Sequence, residues 1–119
     1  DVVRDTIAPD TEGMPERTLL IALGADSVRA VIVDDRLWRL HLDTPRFRTA
    51  DSLGVGTPAR ELARREGATL LAGEGRVFIT VPTHCGLSFR VGGVAPPATL
   101  ATLPADARVD EVLVVGCSA

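Results

Sequence analysis

Four residue types are missing from this 119-residue sequence: lysine, asparagine, glutamine and tyrosine. Without lysine the chain cannot form a Schiff base, cannot supply the lysine of a phosphate-binding P-loop, and has no lysine to act as a general base. Without asparagine it has no acceptor for N-glycosylation. All 13 basic residues other than histidine are therefore arginine, a bias that indicates a GC-rich bacterial genome.

Long apolar runs and basic patches are also missing. No stretch approaches the roughly 18 consecutive apolar residues of a membrane-spanning helix, and no signal-peptide pattern opens the sequence. The net charge is −3, and aromatic residues make up only 3% of the chain. Binding of nucleic acid by base stacking needs exposed aromatics among basic residues. We therefore predict no transmembrane segment in this chain and no nucleic-acid partner.

A glycine-containing stretch, "TADSLGVGTP" over residues 49–58, raises the question of phosphate binding. The residue after Thr57 is Pro58, where a P-loop has lysine, and proline also removes a backbone N–H from any anion-binding nest. The third residue after Gly56 is Ala59, so the dinucleotide fingerprint is incomplete too. The glycines are therefore predicted to allow a sharp turn from strand to helix. Thr57 is the expected N-cap, and Gly67 the expected helix stop.

The remaining pattern predicts one small α+β domain. Residues 1–17 show neither a strand nor a helix period and are predicted to form an extended N-terminal arm, with a single domain over residues 18–119. The domain is expected to be mainly an antiparallel sheet of about six strands with one short helix. The six β-like runs are "TLLIAL", "SVRAVIV", "LWRLHLD", "RVFITVP", "GLSFRV" and "VDEVLVVGC". The last run is continuously apolar near its end, which predicts a central strand.

Alternation along "LWRLHLD" predicts a half-buried strand. Trp38, Leu40 and Leu42 fall on one face, and Arg39 and His41 fall on the other. The first face is predicted to be internal. The acidic pair just before this run suits a tight turn that would join it to "RAVIV" as a hairpin.

The two cysteines, Cys85 and Cys117, are a candidate disulfide. An even pair in a small chain fits either a disulfide formed in an oxidising compartment or two buried thiols. Residues two apart on a strand point to the same face, so Cys85 would share a face with Leu87, and Cys117 with Val115. Both cysteines could therefore point inward from neighbouring strands. The stretch "THC", which includes Cys85, also fits an alternative function: a small cysteine-dependent enzyme that uses Cys85 with a histidine.

No other group of residues predicts chemistry. Histidines and cysteines lack the short paired spacings of zinc sites, and no calcium-binding ladder of acidic residues occurs. We therefore predict no catalytic residues, no metal and no cofactor. The stretch "PRFR" supplies the candidate partner contacts Arg46, Phe47 and Arg48, because arginine and aromatic residues are favoured in binding hot spots.

A wider pattern resembles a module of secreted bacterial α+β domains. It consists of a hairpin, a Thr-x-x-(Ser or Gly)-hydrophobic-Gly-x-Gly-(Ser or Thr) turn seen here in "TADSLGVGTPAREL", a short helix, and a later strand containing "GLSF". Over residues 28–91 the chain resembles small outer-membrane-assembly lipoproteins of the SmpA/OmlA type and the β-lactamase-inhibitor-protein-like fold. The resemblance implies an envelope location and protein binding through the sheet face or loops.

These observations together predict a non-catalytic protein-binding or structural accessory module of the bacterial envelope, periplasmic or extracellular. Its expected partner is a protein that belongs to a larger envelope or membrane-associated complex. Two alternatives from other classes are the cysteine-dependent enzyme and a small-ligand carrier with an apolar cavity between helix and sheet.

Overall fold

A computed structural model describes residues 2–9, 15–23 and 26–117 of the chain. Within them the sequence forms eight strands, one short α-helix and two single 3₁₀ turns. In chain order the elements are β1 Val2–Pro9, β2 Pro15–Leu23, β3 Asp26–Val33, β4 Arg36–Leu42, α1 Ala59–Ala63, β5 Thr69–Gly73, β6 Arg76–Thr80, a 3₁₀ turn at Pro82–His84, β7 Leu87–Val91, a second 3₁₀ turn at Leu100–Thr102, and β8 Val109–Val114.

All eight strands belong to one antiparallel sheet with the order β1-β2-β3-β4-β8-β7-β6-β5. Strand β8 lies between β4 and β7, so it joins the first four strands to the last four. The predicted central position of "VDEVLVVGC" is thus confirmed. A continuous apolar run suits this place because a central strand is covered more completely than an edge strand.

Two-residue turns connect two of the hairpins. Asp34 and Asp35 both have positive φ, 53° and 60°, and join β3 to β4. Glu74 and Gly75, with φ of 54° and 74°, join β5 to β6 in the same way. Two successive residues with positive φ form the turn whose twist matches that of paired strands. The predicted tight turn at the acidic pair is confirmed.

The core lies on one face of the β6, β7 and β8 part of the sheet, under α1 and the loops. Phe89, Val77 and Ile79 are fully buried there, and Leu62 of α1 packs into the same cluster. Burying a large apolar side chain contributes about 1.5–3 kcal/mol. The helix has only five residues, so its stability comes from this packing and not from its own length.

The fold prediction holds in its coarse form. The domain is a mainly antiparallel sheet with one short helix, but it has eight described strands instead of about six. The two additional strands are β1 and β5. Strand β1 lies in the segment predicted as an arm, and β5 is a five-residue edge strand without clear alternation. Both owe their structure to pairing with a neighbour, which single-segment patterns do not reveal.

In the segment 1–17, predicted as an arm separate from the domain, the described residues 2–9 and 15–17 are extended and belong to the sheet. Val2–Pro9 pairs with β2, and β2 itself begins at Pro15. Cross-strand hydrogen bonding stabilises an extended segment that has no apolar period of its own.

Strand β4 follows its predicted orientation in part: Leu42 packs against the core as predicted, but Trp38 and His41 do not fit the pattern. Trp38, expected inside, is 51% exposed, whereas His41, expected outside, is only 8% exposed. A register irregularity where Val31 and Ile32 of β3 pair with β4 leaves Trp38 without a partner residue in the ladder. Such a bulge turns the strand locally and changes which side chains face the protein.

The glycine loop turns the chain as predicted, but the helix begins differently. Gly56 has φ of +94°, a conformation that favours glycine. Thr57, predicted as the N-cap, instead accepts a hydrogen bond from the backbone N–H of Gly54 at 3.0 Å. The cap position is occupied by Pro58, without a side-chain cap, because Thr57 is already engaged within the loop. Gly67 comes after the helix has ended at Ala63.

Candidate functional site

A network of charged side chains lies on the sheet face opposite the core. His41 of β4 and Glu111 of β8 are both nine-tenths buried, and Arg29 of β3 is half-exposed beside them. The His41 Nδ1 atom is 3.0 Å from Glu111 Oε1, and Arg29 Nη2 is 2.9 Å from the same His41 nitrogen. Residues 29 and 41 are direct cross-strand partners, which brings these side chains together.

Glu111 is the centre of this network. Arg29 Nη2 lies 3.4 Å from Glu111 Oε2, and Arg90 Nη1 of β7 lies 3.5 Å from Oε1. Burial raises the pKa of Glu111, but the hydrogen bond from His41 and the charges of His41, Arg90 and Arg29 outweigh burial, so the pKa lies below its usual value. The carboxylate is therefore held ionised inside the sheet.

Arg90 extends the network to the neighbouring bulge in β8. Its Nε donates to Asp110 Oδ1 at 2.7 Å. That hydrogen bond, opposed by burial and supported by the nearby carboxylates, raises the pKa of Arg90 above its ordinary value. The register of β7 and β8 is interrupted between Arg90 and Val91, which places Asp110 and Glu111 both within reach of one guanidinium.

A cavity of about 230 Å³ opens beside the network. Its wall is formed by side chains of β2, β3, β4 and β8 and by the residue that follows β4: Leu20, Ser27, Arg29, His41, Asp43 and Glu111. By the alternation of side chains along strands, these positions of β3 and β4 share one face of the sheet. The cavity thus combines cationic, anionic and hydroxyl groups with one leucine.

A second cluster forms at Asp51 in the loop between β4 and α1. Its carboxylate accepts a hydrogen bond from Thr49, forms an ion pair with Arg65 Nη1 at 2.6 Å, and lies 3.0 Å from His84 Nε2. These contacts, the one with Thr49 first, hold the pKa of Asp51 far below its usual value. Arg65 follows α1, and His84 ends the 3₁₀ turn just before Cys85. The cluster therefore connects these two segments to the loop that contains Asp51.

The candidate partner residues Arg46, Phe47 and Arg48 lie in this same loop. Arg46 Nη1 forms an ion pair with Asp26 at 3.0 Å. Arg48 donates to the backbone oxygens of Ser52 and Val55 at 2.9 and 3.1 Å. The two arginines therefore have intramolecular contacts that shape the loop, while Phe47 is half-buried.

Cys85 and Cys117 form a disulfide, as predicted, with their Cα atoms 5.2 Å apart. Both residues are exposed and do not point inward as their strand parity had suggested. They lie just outside β7 and β8, where strand alternation no longer applies. The backbone of Gly86 passes so close to Gly116 that an added Cβ would stand 2.7 Å from the Gly116 carbonyl carbon.

Exposed apolar residues are concentrated at one end of the sheet. Four large apolar residues are conspicuously exposed among those described, and Leu37, Trp38 and Val115 are three of them. Val115 directly follows the β8 residue that pairs with Leu40, so it leaves the sheet at the end where Leu37 and Trp38 stand. We call these three residues the end patch. The Arg39 guanidinium stacks on the Trp38 ring, 4.4 Å from its centroid.

Sequence reasoning did not find the charged network. Its one sequence signal is Glu111 itself, an acidic residue within the apolar run of a central strand, which needs buried partners. Which arginines and histidine supply them depends on register, which sequence alone does not show. Among the described residues, no group of three or more histidine, cysteine or acidic side chains is arranged to hold a metal ion. Nor is any described helix long and apolar enough to cross a membrane.

Comparisons with known proteins support the fold. No protein-family model and no curated protein matches the sequence. The structure is similar to that of an uncharacterized protein, yfeY from Escherichia coli, with a TM-score of 0.68 and 14% identity over 95% of this chain and 80% of that chain. At this level of identity the likeness shows a shared fold alone.

Proposed function

We propose that this chain is a non-catalytic protein-binding accessory module of the bacterial envelope, which contacts its partner through the end patch. The observation that carries the proposal is the exposure of Leu37, Trp38 and Val115 at one end of the sheet. Tryptophan and arginine are enriched among residues that dominate binding energy, and here Trp38 stands beside Arg39. A cluster of exposed apolar side chains is typical of an interaction site.

The disulfide supports the envelope location. A bond between Cys85 and Cys117 is compatible with an extracytoplasmic compartment, because disulfides persist where the environment is oxidising. The resemblance of residues 28–91 to small envelope domains points the same way. Cys85 has no free thiol in this state, so the structure offers no support for a cysteine-dependent enzyme.

Site-specific crosslinking tests the proposal. A photoreactive amino acid placed at Trp38 in the native cells is expected to give a discrete crosslinked partner, identified by mass spectrometry. Leu71, which is similarly exposed but lies on the edge strand β5, is the matched control and should give no such product. With the purified partner, Trp38→Ala is expected to weaken binding about 30-fold or more, the loss typical of a hot spot of at least 2 kcal/mol.

Two results would overturn the proposal. One is equal crosslinking from Trp38 and Leu71, which would mean that the end patch has no special role. The other is an unchanged affinity in Trp38→Ala while the variant remains folded.

A further inference from the structure

The charged cavity is separate from the end patch and has no role in the proposed protein binding. It combines two polar side chains that are nine-tenths buried, His41 and Glu111, with a half-exposed arginine. Burying such groups is costly, and replacing them with apolar residues is often neutral or stabilising. Their placement on an open cavity therefore calls for an explanation beyond stability.

The hydrogen-bond pattern of His41 determines what it offers to a ligand. Its Nδ1 lies near both the Glu111 carboxylate and the Arg29 guanidinium, and one nitrogen cannot donate to the first while accepting from the second. We assign the proton to Nδ1, because a charge-assisted bond to the carboxylate is the stronger one and Arg29 can donate to Glu111 Oε2 instead. Nε2 makes no hydrogen bond to any described residue, so it remains available to a ligand.

Three further groups on the cavity wall have unused hydrogen-bonding capacity. The Nε and Nη1 atoms of Arg29 make no hydrogen bonds to the described residues, since both of its contacts are made by Nη2. The Asp43 carboxylate and the Ser27 hydroxyl line the same cavity and likewise make no hydrogen bonds to the residues that the structure describes. The cavity thus presents donors from Arg29 and Ser27, an acceptor from Asp43, and the Nε2 atom of His41.

The spacing of these groups suits one small molecule with two opposite charges. Arg29 pairs directly with His41, so Asp43, two residues further along the chain, is the diagonal neighbour of Arg29. Diagonal neighbours are about 7–8 Å apart, within reach of long side chains. The cavity of about 230 Å³ is below the range of roughly 300–1,000 Å³ that drug-sized ligands occupy, which favours a very small ligand.

We propose that this cavity binds a small zwitterion, an amino acid or another short amino carboxylate. The ligand carboxylate accepts hydrogen bonds from Arg29 and Ser27, and its ammonium group donates to the Asp43 carboxylate. Leu20 contacts the carbon chain between the two charged groups. Glu111 does not contact the ligand but orients the His41 ring through the contact at Nδ1, which makes it a positioning residue.

Titration of the folded protein with matched probes tests this proposal. Chemical shifts of the backbone amides around His41 and Glu111 are followed while individual amino acids, acetate and ethylamine are added. At least one amino acid is expected to bind, with acetate and ethylamine at least tenfold weaker. Arg29→Gln and Asp43→Asn should each weaken amino acid binding at least tenfold. Arg60→Gln is the control, because Arg60 is an exposed arginine of α1 outside this cavity.

Each alternative result would overturn the proposal. Binding of acetate as tight as that of any amino acid would indicate a simple anion site, and equal binding of ethylamine would indicate a cation site. The absence of shift changes at millimolar concentrations of all amino acids would exclude a zwitterion site. Thermal unfolding of both variants checks that they are folded, and Arg29 and Asp43 are exposed enough to be replaced without disturbing the core.

Discussion

The Nδ1 atom of His41 contacts Oε1 of Glu111 at 3.0 Å across 70 residues of sequence. The contact joins β4 to β8, the two strands where the first half of the sheet meets the second. Only three residue pairs join these two strands, through Leu40, His41 and Leu42 of β4. A side-chain network at such a short ladder is well placed to stabilise the junction.

Replacing Glu111 with glutamine is therefore expected to destabilise the protein by about 1–3 kcal/mol at neutral pH, the cost of removing one partner from a buried hydrogen-bonded group. The loss should decrease in acid. Because the folded-state pKa of Glu111 is lowered, its contribution is complete above the unfolded carboxyl pKa and is lost as the pH falls through the folded value. Urea denaturation from pH 7 to pH 2 measures both effects.

The matched control for this change is Glu61→Gln on the exposed face of α1. It should alter stability by less than about 0.5 kcal/mol, as is usual for surface substitutions. A destabilisation by Glu111→Gln that is the same at every pH would contradict an ionised, stabilising Glu111.

The disulfide should contribute substantially to stability. It closes a loop with a sequence separation of 32, for which the chain-entropy relation gives about 3–4 kcal/mol. Adding dithiothreitol is therefore expected to lower the melting temperature measured by circular dichroism. The Cys85→Ser, Cys117→Ser double variant should melt at the reduced temperature whether or not reductant is present. A wild-type melting temperature that does not change once the thiols are shown to be free would contradict this role.

Features of the structure that are set by residues close together in the sequence could be predicted, whereas features set by strand pairing could not. The turn at Asp34 and Asp35 and the bend at Gly56 depend on neighbouring residues, and the central position of β8 has a local sign in its continuous apolar run; all three were predicted correctly. The exposure of Trp38 depends on a bulge created by pairing with β3, and the burial of His41 depends on its contacts with Arg29 and Glu111 of other strands. No alternation pattern contains that information, because the register belongs to the pair of strands.

The same reasoning explains the candidate site. Cys85 and Cys117 could be paired from sequence because only two cysteines exist. The partners of Glu111 come from three other strands among many scattered arginines, so only the assembled sheet selects Arg29 and Arg90.

Asp51 should control how firmly the loop before α1 is attached. Asp51→Asn removes the charge that pairs with Arg65 and weakens the contact with His84, so the melting temperature should fall at neutral pH. The folded pKa of Asp51 is strongly lowered, so its contribution is present above the unfolded carboxyl pKa and persists until the pH falls through the much lower folded value. Wild type and variant should therefore differ even at pH 3.

Asp106→Asn provides the comparison for this experiment, since Asp106 is exposed and forms no ion pair with a described residue. It should leave the melting temperature unchanged. Equal effects of the two substitutions would show that the contacts of Asp51 do not stabilise the loop. Amide hydrogen exchange of residues 49–55 locates the effect, because loss of the cluster should speed exchange there first.

Gly86 and Gly75 separate two causes of glycine preference. Both have positive φ, 81° and 74°, but a Cβ at Gly86 would meet the Gly116 backbone at 2.7 Å, whereas at Gly75 nothing lies within 4 Å. Gly75→Ala should therefore cost about 1–2 kcal/mol for the left-handed conformation alone. Gly86→Ala should cost about 1–3 kcal/mol more, because the backbone beside the disulfide must move. Urea denaturation of both variants measures the difference, and equal losses would mean that the backbone near Cys117 shifts without cost.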